Sequence, residues 1–174
     1  MRIQKSSTTC GKADKKLTED EFCTSIYEYR HLLYHIAYVL LHNSADCEDA
    51  VQETVCRAWH KRSMLKKQAS MRAWLSTIVT NECRSMLRKR RNHPQTELDE
   101  SILALSDSSE ESRALHEALH AMPSELSLPV ILHYLEGFST AEIAAVLKQP
   151  EGTVRSRLFR ARQALKQWLT EEEV

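Results

Sequence analysis

Between Phe138 and Trp168 two short helical periods follow each other with only a few residues between them. That spacing restricts the stretch to a pair of helices folded back across a tight turn. Ser139 followed three residues later by Glu142 is a capping box, so the first helix is expected to begin at Thr140, with Ile143, Ala144 and Leu147 as its buried stripe. Lys148 and Gln149 form the turn, and Pro150 suits the first position of the next helix, where its missing N–H would be unpaired anyway. In that second helix Val154, Leu158, Ala161, Leu165 and Trp168 recur at spacings of four, three, four and three, which makes one continuous apolar face. At about 100° per residue, Gly152, Ser156, Phe159, Arg160 and Gln163 point the other way, flanked by Arg155, Arg162 and Lys166. Such an array fits the recognition helix of a helix-turn-helix, whose N-terminal part reads base edges in the major groove. The charge pattern by itself also describes a solvated basic helix in a bundle.

The rest of the chain is consistent with an all-α build. It has 174 residues, only 3 Gly and 4 Pro, and 6% aromatics, which favours helices with short connections. No apolar run approaches the roughly 18 to 20 residues needed to span a bilayer, and Met1 to Lys16 has no apolar core of the signal-peptide kind. No membrane insertion and a cytoplasmic location are therefore expected. The five cysteines are odd in number and lack C-x-x-C spacing, so they read as free thiols; exposed Cys56 leaves a redox role open.

A formal net charge of zero conceals segregation. Residues 1–92 hold 17 Lys+Arg against 10 Asp+Glu, net plus 7; residues 93–127 hold 1 against 8, net minus 7; residues 128–174 hold 6 of each. Because binding follows local patches rather than the sum, this pattern describes two parts competent for nucleic acid, separated by an acidic strap. Residues 1–17 are polar and expected to be disordered. Residues 93–110 read as a flexible acidic linker, its acidity serving either solubility or a docking channel.

Three helices are expected in the first part. Phe22, Ile26, Tyr29, Leu33, Ile36 and Leu40 make the stripe of the first, and Asn43 and Ser44 end it and begin the next. The second, Ala45 to about Lys61, turns Cys47, Val51, Thr54, Val55 and Ala58 inward and presents Asp46, Asp49, Gln52, Glu53, Cys56 and His60 outward or on its flanks. An acidic face inside a basic half suggests a protein partner. The third, Met71 to about Arg91, buries Trp74, Leu75, Ile78, Val79 and Met86. On another side it carries Thr77, Asn81, Arg84, Arg88 and Arg91, with Thr80 beside them. Short polar groups followed by guanidinium groups suit base edges and then phosphates, although a solvated basic face has the same pattern.

Two segments carry a family resemblance. Pro150 to Arg162, preceded by His133 to Ser139, resembles the promoter-reading fourth region of sigma-70 initiation factors, especially the extracytoplasmic-function (ECF) group. Ala45 to Trp59 is similar to the second-region helix that grips core RNA polymerase, and Met71 to Asn81 to the segment that melts and reads the minus 10 element. Many members have an acidic residue four after that Asn, where this chain has Ser85, and Pro129 interrupts the usual charged run before the fourth-region helix.

The resemblance implies two small helical domains, 18–92 (region 2-like) and 111–170 (region 4-like). Asp46, Asp49, Gln52 and Glu53 would bind core RNA polymerase. Lys66, Lys67, Thr77, Thr80, Asn81, Arg84, Arg88 and Arg91 would contact minus 10 DNA, with an unstacked base of the melted strand captured near Lys66 to Ser70. Thr153, Arg155, Ser156, Phe159, Arg160 and Gln163 would read the double-stranded minus 35 element. An anti-sigma partner is also implied. His31/His35 and His116/His120 have the i,i+4 spacing that can share a metal, but no further ligand is placed by sequence, and with no Gly-rich phosphate loop neither metal, cofactor nor catalytic role is expected. The alternative reading is a polymerase-independent helix-turn-helix regulator.

Overall fold

The computed structural model describes residues 18–65, 71–92, 118–119 and 121–171. Expectations for the N-terminal tail, Cys10, Lys66 to Ser70, the 93–110 linker, the start of the second domain at 111 and His116/His120 lie outside these residues.

Helix α1, Glu19–Leu41, is opened by a capping box. Thr18 Oγ1 accepts from the Glu21 N–H at 3.2 Å, and the Thr18 N–H donates to Glu21 Oε2 at 2.9 Å. His42 ends it in the left-handed region (φ 53°). One residue later Asn43 Oδ1 accepts from the Asp46 N–H and starts α2, Ser44–Lys61. A single 3-10 turn, Arg62–Met64, follows, and α3 spans Met71–Asn92. The three helices pack on one another around Leu33, Ile36, Ala37, Cys47, Ala50, Ala58, Met71, Leu75, Val79 and Cys83, all almost fully buried. Two ion pairs lock α2 to α3: Arg57 Nη1 to the buried Glu82 Oε1 at 2.8 Å, and Arg90 to Asp46.

The second half contains α4, Ser124–Val130, which includes Pro129 and passes into a π turn, Ile131–Leu135. The wider turn is closed by the Glu136 N–H donating to the Ile131 carbonyl at 3.0 Å. Gly137, at φ +65°, then reverses the chain and delivers Phe138 into the core. Helix α5, Thr140–Leu147, and helix α6, Glu151–Glu171, form the angled pair. An eight-residue helix is too short to persist alone, so packing holds it. Ile143, Val146, Leu147, Val154 and Leu158 are buried, at about 1.5 to 3 kcal/mol for each fully buried aliphatic chain.

The periodicity assigned these elements well and erred in detail. Val146 takes the buried place expected of Ala144, which is half-covered, and Trp168 is exposed. Pro150 precedes α6 rather than opening it: its carbonyl accepts from the N–H groups of Thr153 (2.9 Å) and Val154 (3.3 Å), which is the N-cap position.

The two halves also touch. Helices α1 and α3 pack against α4 and α5, and the apolar core runs on between them. Arg72 at the start of α3 donates from Nη2 to the Glu136 carbonyl at 2.6 Å and lays its guanidinium 3.8 Å over the Phe138 ring. His35 on α1 meets Glu136 Oε1 at 3.0 Å through Nδ1.

Candidate nucleic-acid interface

Helix α6 is held by contacts on its inner and leading sides, which leaves its outer face clear. Arg157 donates to Gln149 Oε1 at 2.6 Å and reaches Glu125 Oε2 at 3.4 Å, tying α6 to the turn and to α4. Thr140 Oγ1 donates to Glu151 Oε1 at 2.6 Å, and Arg155 pairs with the same carboxylate at 2.7 Å. These bonds hold the Glu151 carboxyl below its ordinary range, Thr140 contributing most and Arg155 next. Lys148 turns the chain at φ 54°. The helix therefore leaves the turn at a fixed angle, with Arg155, Ser156, Phe159, Arg160 and Gln163 exposed together. Thr153 is half-covered, and Ser156 Oγ donates to the Thr153 carbonyl. The Phe159 ring, 56% exposed, is a large apolar group with no core role, of the kind that meets a thymine methyl.

The face of α3 is more committed. Asn81, Arg88, Lys89, Arg90 and Arg91 are exposed, so the basic end of the helix is open. Thr80 is not on that face: it is fully buried, and its hydroxyl donates to the Ser76 carbonyl at 2.7 Å. The 3.6-residue period rotates it into the seam with Ser76, Val79 and Cys83, and a β-branched residue beside a basic face gives no sign of which way it points. Thr77 is half-covered and likewise donates back, to the Ala73 carbonyl. Arg84 is half-buried, and its guanidinium pKa is lowered first by desolvation and then by the positive charges of Arg157 and Arg88. Lys66 and Lys67 lie outside the described residues.

On α2, Asp49 and Gln52 are exposed and Glu53 is about half-exposed while paired with Arg57 at 2.7 Å. Asp46 departs from the expected acidic surface. Its side chain is only 20% exposed and its charge is held by Arg90, so the open acidic surface is Asp49 to Glu53. Among the described residues no three His, Cys, Asp or Glu side chains gather as a metal set. Cys47 and Cys83 are buried thiols pushed up to about 11 and about 12 by desolvation, whereas Cys23 and Cys56 are exposed.

The roles of Arg72, Glu136, Arg157 and Glu82 escaped the sequence, and His35, noted there only for its spacing from His31, pairs with Glu136 instead. Most act through a partner distant in the chain, 64 residues away for Arg72 and 101 for His35, and no local period encodes such a pairing.

The chain is similar to known proteins over both halves. Residues 26–93 match the model of sigma-70 region 2, and residues 112–165 match that of sigma-70 region 4. SigM of Mycobacterium tuberculosis, an ECF RNA polymerase sigma factor, is 32% identical over 136 residues, covering 76% of this chain and 69% of SigM. The ECF RNA polymerase sigma-E factor of Salmonella typhimurium is 33% identical over 139 residues, covering 70% and 73%. Among solved structures, the sigma factor RpoE of Bartonella quintana, in complex with the anti-sigma factor NepR, superposes with a TM-score of 0.75 at 27% identity. That superposition covers 87% of this chain and 98% of RpoE. Among the described residues no helix is long and apolar enough to cross a membrane.

Proposed function

The chain belongs to the sigma-70 family and to its ECF group, and from that premise we propose how its parts divide the work of a factor that directs core RNA polymerase to promoters. The observation that carries the reading is the joint match of both regions, in order, in one chain. A polymerase-independent operator binder needs only the second of them and is not favoured.

In this reading residues 18–92 form the region 2 domain, residues 93–110 the tether and residues 111–170 the region 4 domain. The Asp49, Gln52 and Glu53 surface docks on the polymerase clamp. Asn81, with Arg88 and Arg91 behind it, reads and anchors minus 10 DNA, Arg84 and Thr77 joining once uncovered. A base extruded near Lys66 to Ser70 needs a protein pocket, since unstacking it costs a few kcal/mol. The outer face of α6 enters the major groove at the minus 35 element, with Arg155, Ser156, Phe159, Arg160 and Gln163 toward the bases and Thr153 beside them. The chain acts in the cytoplasm, where core polymerase and DNA are, and contributes no chemistry of its own: bond formation belongs to the polymerase. An anti-sigma factor restrains it, a proposal supported by the likeness to RpoE in its complex.

The test is to add the purified chain to core polymerase and score initiation from promoter libraries. Promoter-specific transcripts that require the chain support the reading. Tight, specific binding to a palindromic site without polymerase would overturn it.

A further inference from the structure

Helix α3 is fixed to α2 at two places along its length. Near its end Arg90 pairs with Asp46, and about 12 Å earlier along the axis Glu82 pairs with Arg57 Nη1 at 2.8 Å. The two pairs are unlike. Asp46 and Arg90 stay partly in water, whereas the Glu82 side chain is only 8% exposed, beside buried Val79 and Cys83. Arg57 is also held from the other side, its Nε donating to Glu53 Oε1 at 2.7 Å. That second pair is about half-exposed and stabilises little by itself; its effect is to aim the planar guanidinium at Glu82.

The buried arm governs how α3 sits. A carboxylate out of water is costly unless paired, and removing its partner leaves that cost uncompensated. Helix α3 relieves such a charge by turning Glu82 toward solvent. Asn81, exposed and about 100° round the same helix, has to follow. A turn of about 20° moves a side-chain tip about 5 to 6 Å from the axis through about 2 Å. Hydrogen bonds to a base edge hold only within about 2.7 to 3.2 Å, so that displacement breaks one. Arg88 and Arg91, on longer side chains, can follow a phosphate through the same turn, and specificity is lost before affinity.

We propose that Arg57 is a positioning residue for minus 10 recognition: by holding buried Glu82 it sets the rotation of α3 that presents Asn81 to the DNA. The role rests on the sigma reading given above and adds to it a residue that acts on DNA only through another side chain. Arg57 lies on α2, beside the face assigned to polymerase, so one cation serves Glu53 on that face and Glu82 under the DNA reader.

The test uses the full chain with core polymerase and scores initiation from promoters that differ by single bases in the minus 10 element. The ratio between promoters is the readout, because a smaller folded fraction lowers every transcript alike and leaves ratios unchanged. Asn81→Ala identifies the base position that Asn81 reads; if no position responds, the proposal falls. Arg57→Met should lower discrimination at that position about tenfold, the scale of one good base contact, and leave the other positions as they were. Combining Arg57→Met with Glu82→Leu should restore it, since apolar residues of similar volume can replace a buried ion pair. Arg57→Gln, which keeps a donor without the charge, stands in if Arg57→Met does not fold. Unchanged discrimination in the single variant overturns the proposal. So does a double variant as defective as the single one, because Arg57 would then act on DNA directly. A second arm follows amide hydrogen exchange in the free chain, where Asn81 to Cys83 should exchange faster in the single variant and return to wild type in the double. Exchange that does not change overturns the seating of α3 by Arg57. A wild-type chain that directs no promoter-specific initiation defeats the sigma reading instead, and the exchange arm then decides the role of Arg57 by itself.

Discussion

The two DNA-facing helices differ in how free they are. Helix α6 is anchored by Arg157 and the Glu151 cluster and presents a row of exposed side chains, of which Phe159, Arg160 and Gln163 take no part in that anchoring. Helix α3 is at once reader, core and joint: Thr80 and Cys83 are buried in its own domain, Glu82 and Arg90 are tied to α2, and Arg72 and Arg84 face the other half. A recognition surface can be preformed where the scaffold lies behind it, as in α6. Where the same helix is also a structural seam, as in α3, part of its polar surface is committed to packing.

Four changes break or sharpen that contrast. The largest effect is expected for charge reversal at Asp49 and Glu53, on the acidic face that neither DNA reader uses. Association with core polymerase should be lost, at about 2 to 5 kcal/mol for each charge that becomes desolvated in the interface. Helix content should hold, because Arg57 keeps its buried partner Glu82. Retained co-elution with core would remove this face from the interface.

Next comes Arg160→Ala on the free face of α6. If the residue is bidentate to guanine, upstream-element binding should fall by about 1 to 3 kcal/mol with specificity relaxed at one position. A phosphate contact would instead weaken all sequences alike and reduce the salt slope by about one. Stability should not change, since the side chain is exposed.

Ser139→Ala tests whether the preformed reader depends on its cap. Loss of the capping box at α5 should cost about 1 kcal/mol, read as a lower melting temperature. The Glu142 carboxyl is held below its ordinary pKa chiefly by the Ser139 backbone N–H and then by its hydroxyl. A depressed folded-state pKa gives stability that is present above the unfolded value of about 4.3 and lost as pH falls through the folded one. The wild-type cap should therefore weaken on acidification, and the Ala variant should show less of that acid sensitivity. An equal acid response in both proteins would detach Glu142 from the cap.

The smallest effect is expected at Thr80→Val, which removes a buried hydroxyl bonded to the Ser76 carbonyl. Stability should change by no more than about 1 kcal/mol, and minus 10 preference not at all. A selective shift in promoter choice would place Thr80 back on the reading face.

The helical elements were legible because their ends are written locally: Asn43 caps α2, and Ser139 with Glu142 caps α5. The α6 face was legible for a similar reason, since one apolar stripe fixes the direction of every other side chain on the helix. The α3 face was read less well because that helix has neighbours on several sides, from α1, α2 and α5. Its polar residues divide between solvent, core and joint according to partners that no period reveals. Asp46 shows the same limit: its acidity was plain, and its commitment to Arg90 on another helix was not.

The π turn after Pro129 has an evolutionary reading. A π turn is what an α-helix becomes when it absorbs one inserted residue without breaking, and Ile131–Leu135 carries such a surplus just before Gly137 and Phe138. Deleting one codon there would restore the plain helical register and rotate everything downstream by about 100°. The Phe138 ring would swing out from under Arg72, and the hinge between the halves would be reset by a single indel. Substitutions at Arg72 alter one contact in the joint, whereas a length change in this turn redirects the whole joint, so descendants of this chain have a coarse and a fine adjustment of the same packing.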